Sequence, residues 1–375
     1  MKVLLVATVQ SHICQFHRPL VAMLHEHGCE VHVAARNNLA EKNGLKLDFV
    51  EQVFDVPFQR SPFSPKNLGA YKQLKKIIDE GNYDVIHCNT PVGGVLGRLA
   101  ARKARKHGTK VFYTAHGFHF YKGAPKKNWL IWYPVEKFMC RYTDKLITIT
   151  QEDYDLASAK FPTQVERIHG VGANSAKYRK LSKAECAELC HELGYAEDDK
   201  LLLCTGELLP NKNQITAIHA MKSLIARQPK AKLLLAGNGP TLPELRTEVA
   251  ALELQNCVEF LGYRTDLERY ANIADVIVSC SYREGLPMNI VEGMLLSKPV
   301  AASFNRGHRE LIVPDVTGYM VSPMDANAFA EKILMLLDNP TLADHMGQAG
   351  YEKAQLYADT NVRQELGNIY GLLRG

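Results

Sequence analysis

Short apolar runs alternate along this chain with longer segments whose apolar residues recur every three to four positions, and the alternation persists into the second half. A continuous apolar run of strand length suits a strand buried on both faces, while the longer periodic segments suit helices with one buried stripe. On this pattern strands are expected at Lys2–Ala7, Glu30–Ala35, Asp84–Cys88, Lys110–Ala115 and Lys145–Thr150, with helices near 14–27, 66–80, 92–107 and 128–142. From Pro162 to Ser182 the periodicity loosens around Gly170 and Gly172, and that stretch reads as the boundary between two domains. A second series follows, with strands expected at Leu201–Thr205, Lys232–Ala236, Val258–Leu261, Asp275–Cys280 and Pro299–Ala302. Such alternation builds a parallel sheet covered by helices, and its ligands bind beyond the carboxyl ends of the strands. The residues just after each strand are therefore where chemistry is to be sought.

A chain of 375 residues exceeds one comfortable core and supports the two-domain division. With 46% hydrophobic and 23% charged residues there is no case for disorder. No apolar run approaches the roughly 20 residues of a membrane span, and the opening MKVLLVATVQSH reads as a short strand rather than a span or a signal peptide. Nine cysteines without a C-x-x-C pair point to reduced thiols. Cys186, Cys190 and His191 lack a second ligand pair and read as a helix face. The net charge of +5 is uneven, because residues 1–168 hold 24 Lys and Arg against 15 Asp and Glu while the remainder holds 21 against 25. The basic first half suggests an anionic partner, a membrane surface or a lipid diphosphate, and no nucleic acid is expected.

The stretch Ser279–Ala301 carries the strongest chemical signal. An apolar run, Ala274–Cys280, ends in a polar loop, and a periodic segment then begins one turn before Glu292. Pro287 suits a first helical position and Gly285 allows close approach of the backbone to a ligand. A helix start with free N–H groups is an anion site. Glu284 and Glu292 flank it, so one ligand could offer phosphate to the backbone and hydroxyls to both acids, as sugar nucleotides do.

Glu284-x7-Glu292, with Gly285 after the first acid, resembles the signature of the large retaining glycosyltransferase family 4. The resemblance implies two Rossmann-like, doubly wound α/β domains facing a cleft, the GT-B fold. By the same resemblance Glu284 holds hydroxyls of the donor hexose and Glu292 those of the ribose, with Leu286, Pro287, Met288 and Asn289 forming the helix start that meets the diphosphate. Gly206-Glu207-Leu208-x3-Lys212-Asn213 resembles the family's G-R-L-x3-K-G and implies that Lys212 contacts the diphosphate. Glu207 departs from the family's arginine, which leaves charge neutralisation to Arg283 or to backbone alone. Gly237 and Gly262-Tyr263-Arg264 resemble loops flanking the nucleotide base. The implied organisation is an acceptor-binding domain over 1–168, a donor-binding domain over 169–355 and a terminal helix over 356–375 that crosses back to the first domain.

In the first half the resemblance places the family's active-site histidine at His116, at the end of an expected strand, where imidazole can bond a sugar hydroxyl or move a proton. The alternative is a buried histidine bonded to backbone. His119 is a weaker candidate, and His12 and His17 read as polar loop residues. Residues Thr8–His12 lack the Gly-rich loop of many family members, and no G-x-G-x-x-G is present, which argues against a dehydrogenase. Trp129 and Trp132 lie beside Lys126 and Lys127, a combination that suits an interfacial helix or, equally, packing against the sheet. Asp153-x-Asp155 reads as an acidic helix start rather than a metal site. No metal or other cofactor is expected. The first half resembles bacterial enzymes that build exopolysaccharide, capsule or lipid-linked glycan. The expected activity is retaining transfer of a hexose or N-acetylhexosamine from a UDP-sugar to a polyprenyl-diphosphate-linked acceptor, in the cytoplasm or on the cytoplasmic face of the inner membrane. Two alternatives remain open at this stage: a sugar-nucleotide epimerase of the same fold, and a non-catalytic sugar-nucleotide-binding partner of another transferase.

Overall fold

In the computed structural model, which describes residues 1–41 and 44–373, the chain divides into two compact units. One comprises Met1–Gly172 with the C-terminal segment from Asp359, and the other Ala173–Ala358. The expected divisions at 168/169 and 355/356 thus become 172/173 and 358/359. Where the chain passes from one unit to the other its two segments run side by side, for Ala173 bridges Ala358 and its N–H donates to the Tyr357 carbonyl at 2.9 Å.

The first unit is built on a parallel sheet of β1 (Lys2–Val9), β2 (Glu30–Arg36), β3 (Gln52–Asp55), β4 (Val85–Asn89), β5 (Lys110–Ala115), β6 (Lys145–Thr148) and β7 (Gln164–Arg167), in the order β3-β2-β1-β4-β5-β6-β7. The second has β8 (Lys200–Thr205), β9 (Ala231–Ala236), β10 (Val258–Gly262), β11 (Val276–Ser279), β12 (Val300–Ser303) and β13 (Tyr319–Val321), in the order β10-β9-β8-β11-β12-β13. Ten of these correspond to the expected strands. The three that the apolar pattern did not indicate are β3, β7 and β13, all at sheet edges. An edge strand is covered on fewer sides and needs no continuous apolar run; β3 reads Gln-Val-Phe-Asp and has no fully buried residue.

Helix boundaries follow local chemistry. The expected helix near 14–27 is two, Gln10–Phe16 and Arg18–Glu26, because Pro19 starts a new helix rather than continuing the old one. The first of them follows β1 directly, so no loop stands where a Gly-rich turn was looked for. The terminal helix Asp359–Tyr370 packs on Arg18–Glu26 and buries Val362, Leu366 and Ile369. Glu365 fixes it by accepting from the His169 backbone N–H at 2.8 Å and meeting His169 Nδ1 at 2.5 Å.

Among the described residues Arg98 is the largest fully buried side chain. Its Nη2 donates to Glu136 Oε2 at 2.7 Å, its Nε to the Gly94 carbonyl at 2.8 Å, and its guanidinium lies 3.8 Å from the centre of the Tyr113 ring. This pair ties the helix Pro91–Ala100 to the helix Lys126–Met139. Removing one partner of a buried pair strands the other charge, at a cost of about 3–5 kcal/mol. Arg98→Ala is therefore expected to destabilise the first unit by about that amount. Urea denaturation followed by tryptophan fluorescence checks this directly, since both tryptophans lie on the clamped helix. An unchanged transition would mean that the pair contributes nothing to holding the helix.

Candidate functional site

In the second unit the strand order reverses between β8, which continues toward β9, and β11, which continues toward β12. The loops that leave the carboxyl ends of β8 and β11 diverge there, which is where open α/β sheets bind ligands. The two loops are laced together by one backbone bond and two asparagine side chains: Tyr282 N–H donates to Asn211 O at 2.9 Å, Asn211 Nδ2 to Arg283 O at 2.8 Å and Asn213 Nδ2 to Cys280 O at 3.0 Å. On this frame Lys212 Nζ donates to Glu284 Oε1 at 2.7 Å, bringing together two residues 72 positions apart. Gly206 turns the loop beside the lysine stem with φ +146°, a backbone conformation that L side chains rarely adopt. Gly237 is more constrained. A Cβ would come within 1.9 Å of the Gly206 carbonyl oxygen, so only glycine lets the loop after β9 lie on the loop after β8.

The helix after β11 runs Met288–Leu295, with Pro287 one residue outside it rather than at its first position. No side chain caps this helix start. Its first N–H groups therefore have no intrahelical acceptor and form a concentration of positive partial charge. Pro287 is buried, Leu286 and Met288 pack on the core beneath, and Asn289 Nδ2 donates to the Thr205 carbonyl at 3.2 Å. Glu292, one turn in, accepts from the hydroxyl of Tyr178. Burial pushes its carboxyl up to about 7, against the lowering pull of Tyr178 and Lys177. Arg283 and Glu207 are exposed, while Arg264 is engaged by Asp266 at 2.8 and 2.6 Å.

Two residues that sequence reasoning did not single out complete this region. One is Tyr178, the partner of Glu292. The other is His308, wholly buried on the helix Arg306–Leu311. Its Nδ1 meets the Ser303 carbonyl at 2.6 Å and its Nε2 the Ser279 hydroxyl at 3.1 Å, which assigns the proton to Nδ1. Burial holds it down to about 4 although Ser303 and Glu284 favour the charged form. A Cβ on Gly307 would meet the Gly285 oxygen at 2.6 Å, so the loop bearing Glu284 rests directly on this helix.

In the first unit the strand order reverses between β1 and β4, and there the structure gathers histidines. His116 follows β5, and its Nε2 stands 3.1 Å from Asn89 Oδ1 and 3.3 Å from His12 Nε2. His12 lies within a helix and His17, which is buried, at a helix junction, so neither is the polar loop residue expected. His87 bridges the Tyr370 hydroxyl and Thr114 Oγ1, each at 2.7 Å. Burial lowers all four imidazoles, His12 to about 4 and His87 to about 3. His119 stands apart, stacked on Trp132 with ring centres 5.1 Å apart. Asp153 accepts from Phe118 N–H at 3.2 Å and lies in the first turn of the helix Gln151–Lys160.

The tryptophans of the helix Lys126–Met139 do not supply its outer apolar face. Trp129 and Trp132 are partly buried against the core, Trp129 in contact with Phe120, and the exposed apolar residues are Leu130 (77% exposed), Phe138 and Ile131. Lys126, Lys127, Lys137 and Arg141 border them. Nearby a groove is lined by Arg102, Lys103, Arg105, Lys106 and Arg141. Among the described residues no helix is long and apolar enough to cross a membrane.

Two family models match the chain: glycosyl transferases group 1 over residues 188–353, and glycosyl transferase 4-like over residues 2–150. The chain is 44% identical over 371 residues to EpsD of Bacillus subtilis (strain 168), named as a glycosyltransferase, covering 98% of this chain and 96% of that one. It is 25% identical over 316 residues to the UDP-Gal:alpha-D-GlcNAc-diphosphoundecaprenol alpha-1,3-galactosyltransferase of Escherichia coli, covering 82% and 81%. Among solved structures it resembles Anabaena HepE in complex with UDP and glucose, with a TM-score of 0.80 at 22% identity over the full length of both chains. Sucrose-phosphate synthase from Thermosynechococcus elongatus gives 0.78 at 22% identity, covering 99% and 98%.

The raised carboxyl of Glu292 has a definite signature. The folded state holds its proton up to about pH 7, whereas an unfolded glutamate releases it near 4.5. Folded protein thus binds more protons between these values, and stability from this group falls as pH rises through that window. Glu292→Gln removes the effect, so its melting temperature relative to the native chain is expected to rise between pH 5 and pH 8. The buried histidines act in the opposite sense but cancel in the difference. A flat difference would show that Glu292 titrates normally.

Proposed function

The chain belongs to the group 1 glycosyltransferases of the GT-B fold, and from that premise we propose that it is a retaining transferase acting in surface polysaccharide synthesis. It moves a hexose or N-acetylhexosamine from a UDP-sugar to a polyprenyl-diphosphate-linked glycan. The observation that carries the donor half of this reading is the Lys212–Glu284 pair beside an uncapped helix start at the switch point of the second sheet. A nucleoside diphosphate fits that combination. The N–H groups at Met288 and Asn289 and the ammonium of Lys212 stabilise charge as it grows on the leaving diphosphate. Glu284 takes up hexose hydroxyls when Lys212 turns to phosphate, and Glu292 holds the ribose hydroxyls. With Gly206, Gly237 and Arg264 lining the approach, and Arg283 reaching the diphosphate, positive charge is supplied by the chain itself, so the transfer routes through no metal.

The acceptor half rests on the first unit. His116 is uncharged by burial and can accept the proton of an acceptor hydroxyl or donate a hydrogen bond to the sugar. In the transfer the bond between the anomeric carbon and the diphosphate breaks, and the acceptor oxygen bonds to the same face of that carbon. The UDP-galactose and diphosphoundecaprenol in the name of the Escherichia coli relative, and the UDP and glucose of the HepE complex, support this choice of substrates. Leu130, Ile131 and Phe138, rimmed by Lys126, Lys127, Lys137 and Arg141, give the helix Lys126–Met139 the composition of a face resting on an anionic membrane surface, where a lipid-linked acceptor resides. On this reading the chain works at the cytoplasmic side of the inner membrane.

The test uses the full-length chain, UDP-sugars and a polyprenyl-diphosphate-linked sugar in anionic vesicles, with the linkage of the product read by NMR. Transfer is expected only with both substrates present, with the anomeric configuration of the donor kept and with no loss of turnover in EDTA. Assayed above pH 7, where the carboxyl is ionised, Glu292→Gln loses charged hydrogen bonds of about 1.5–3 kcal/mol and should weaken donor use about 10- to 150-fold. An inverted product would overturn retention. A UDP-sugar whose stereochemistry changes without acceptor would identify an epimerase. Donor binding without turnover, with turnover created by Glu207→Arg, would identify a non-catalytic partner.

A further inference from the structure

Three imidazoles of the first unit converge on one point. A ring nitrogen from each of His12, His17 and His116 lies within 4.8 Å of the other two. The tightest pair, His12 Nε2 and His116 Nε2, stands 3.3 Å apart. Two nitrogens bound at about 2.0–2.1 Å to a tetrahedral Zn2+ are separated by about 3.3–3.4 Å, so this pair already has the spacing of two ligands. The third, His17, is 4% exposed, and its Nε2 has no hydrogen-bond partner among the described residues. A buried polar nitrogen left unpaired costs free energy that a ligand would recover. Its ring lies 5.2 Å from that of His12 and 5.5 Å from that of His116, and a small rotation closes the set. A fourth oxygen donor is at hand, because Asn89 Oδ1, wholly buried, sits 3.1 Å from His116 Nε2.

The fold explains why these groups meet. His12 comes from the helix after β1, Asn89 from the end of β4 and His116 from the end of β5, three neighbouring strands whose carboxyl ends face the same crevice. His17 joins them because Pro19 breaks the helix there and turns the junction inward. Neutral imidazoles are ligands for zinc, copper and nickel, and a three-histidine set with one further oxygen is a zinc-type geometry.

We propose that His12, His17 and His116, with Asn89 Oδ1 beside them, form a site for one divalent first-row metal ion, Zn2+ by ligand set and geometry. Binding takes the lone pair of a neutral imidazole, so the proton that His116 Nε2 shares with Asn89 or His12 moves to Nδ1 of its ring and uptake releases no net proton from these three rings. The site is built from the first unit alone and stands whether or not the donor reading holds. Only its consequence rests on that reading: an ion held by His116 withdraws the imidazole from the reacting sugar and switches transfer off.

The test is titration of the tag-free full-length chain, first stripped with EDTA, with Zn2+ by calorimetry and with Co2+ by visible absorption. The expected result is one ion per chain, a tetrahedral Co2+ spectrum and no thiolate charge-transfer band. His12→Ala and His17→Ala should each abolish this binding while keeping the native circular dichroism and leaving UDP binding by the second unit unchanged. Absence of stoichiometric binding overturns the proposal. So does a thiolate band, which would assign the ion to cysteines such as Cys186 and Cys190, or binding that survives both substitutions. Because binding is read without turnover, failure of the proposed transfer reaction leaves this result intact. Loss of transfer on adding Zn2+ to the native chain, absent in His17→Ala, checks the consequence separately.

Discussion

The constraint on which the rest depends is the reversal of strand order within a parallel sheet. Successive right-handed crossovers must change sides of the sheet where the order reverses, so the two loops at that point separate instead of packing on each other. In the second unit the loops after β8 and β11 are parted in this way and then cross-linked by Asn211 and Asn213. A lysine and a glutamate distant in sequence are thereby fixed as an ion pair at the mouth of a crevice. In the first unit the same reversal collects residues from the ends of β1, β4 and β5.

The two units fill their crevices with different chemistry, and burial explains the difference. Around β8 and β11 the charges are balanced: Lys212 against Glu284, Arg264 against Asp266. Such groups remain ready to exchange an internal partner for a charged ligand. Around β1 and β4 the polar groups are imidazoles, which escape the cost of a buried charge by staying neutral. Glu292 sits between these regimes, a carboxyl whose burial pushes its titration toward neutrality while Tyr178 and Lys177 hold it back. Arg98 and Glu136 show what the fold does when a charge must be buried for support: it is paired, stacked on Tyr113 and placed between two helices.

Much of this was legible in the sequence, and the parts that were not share a physical reason. Apolar runs marked the strands that are covered on both faces, but β3, β7 and β13 lie at edges and carry too little apolar character to stand out. Glu284, Glu292 and Lys212 could be named because the short motifs around them, Glu284-x7-Glu292 and Gly206-Glu207-Leu208-x3-Lys212, resemble those of a known family. Tyr178 and His308 could not, since they reach the site from elements whose sequence shows only a loop and a short helix. Trp129 and Trp132 were rightly placed on a helix, with its outer face and the core left equally open, because a periodic pattern of aromatic and apolar residues does not say which stripe the core will cover; here it covers the rings and leaves Leu130 outside. His12 and His17 read as loop residues because the turn expected after β1 is absent, and a helix carries them inward instead. Their meeting with His116 depends on strand order, which periodicity does not contain.

The measurement that tests the central claim most directly is calorimetric titration of UDP into the native chain and into Lys212→Ala, in EDTA. The account predicts one site per native chain and a loss of about tenfold or more without the ammonium, the worth of one charged contact to phosphate. Equal affinity in the two proteins, or no binding of UDP to the native chain at millimolar concentration, would contradict the assignment of the Lys212–Glu284 crevice as the nucleotide-sugar site.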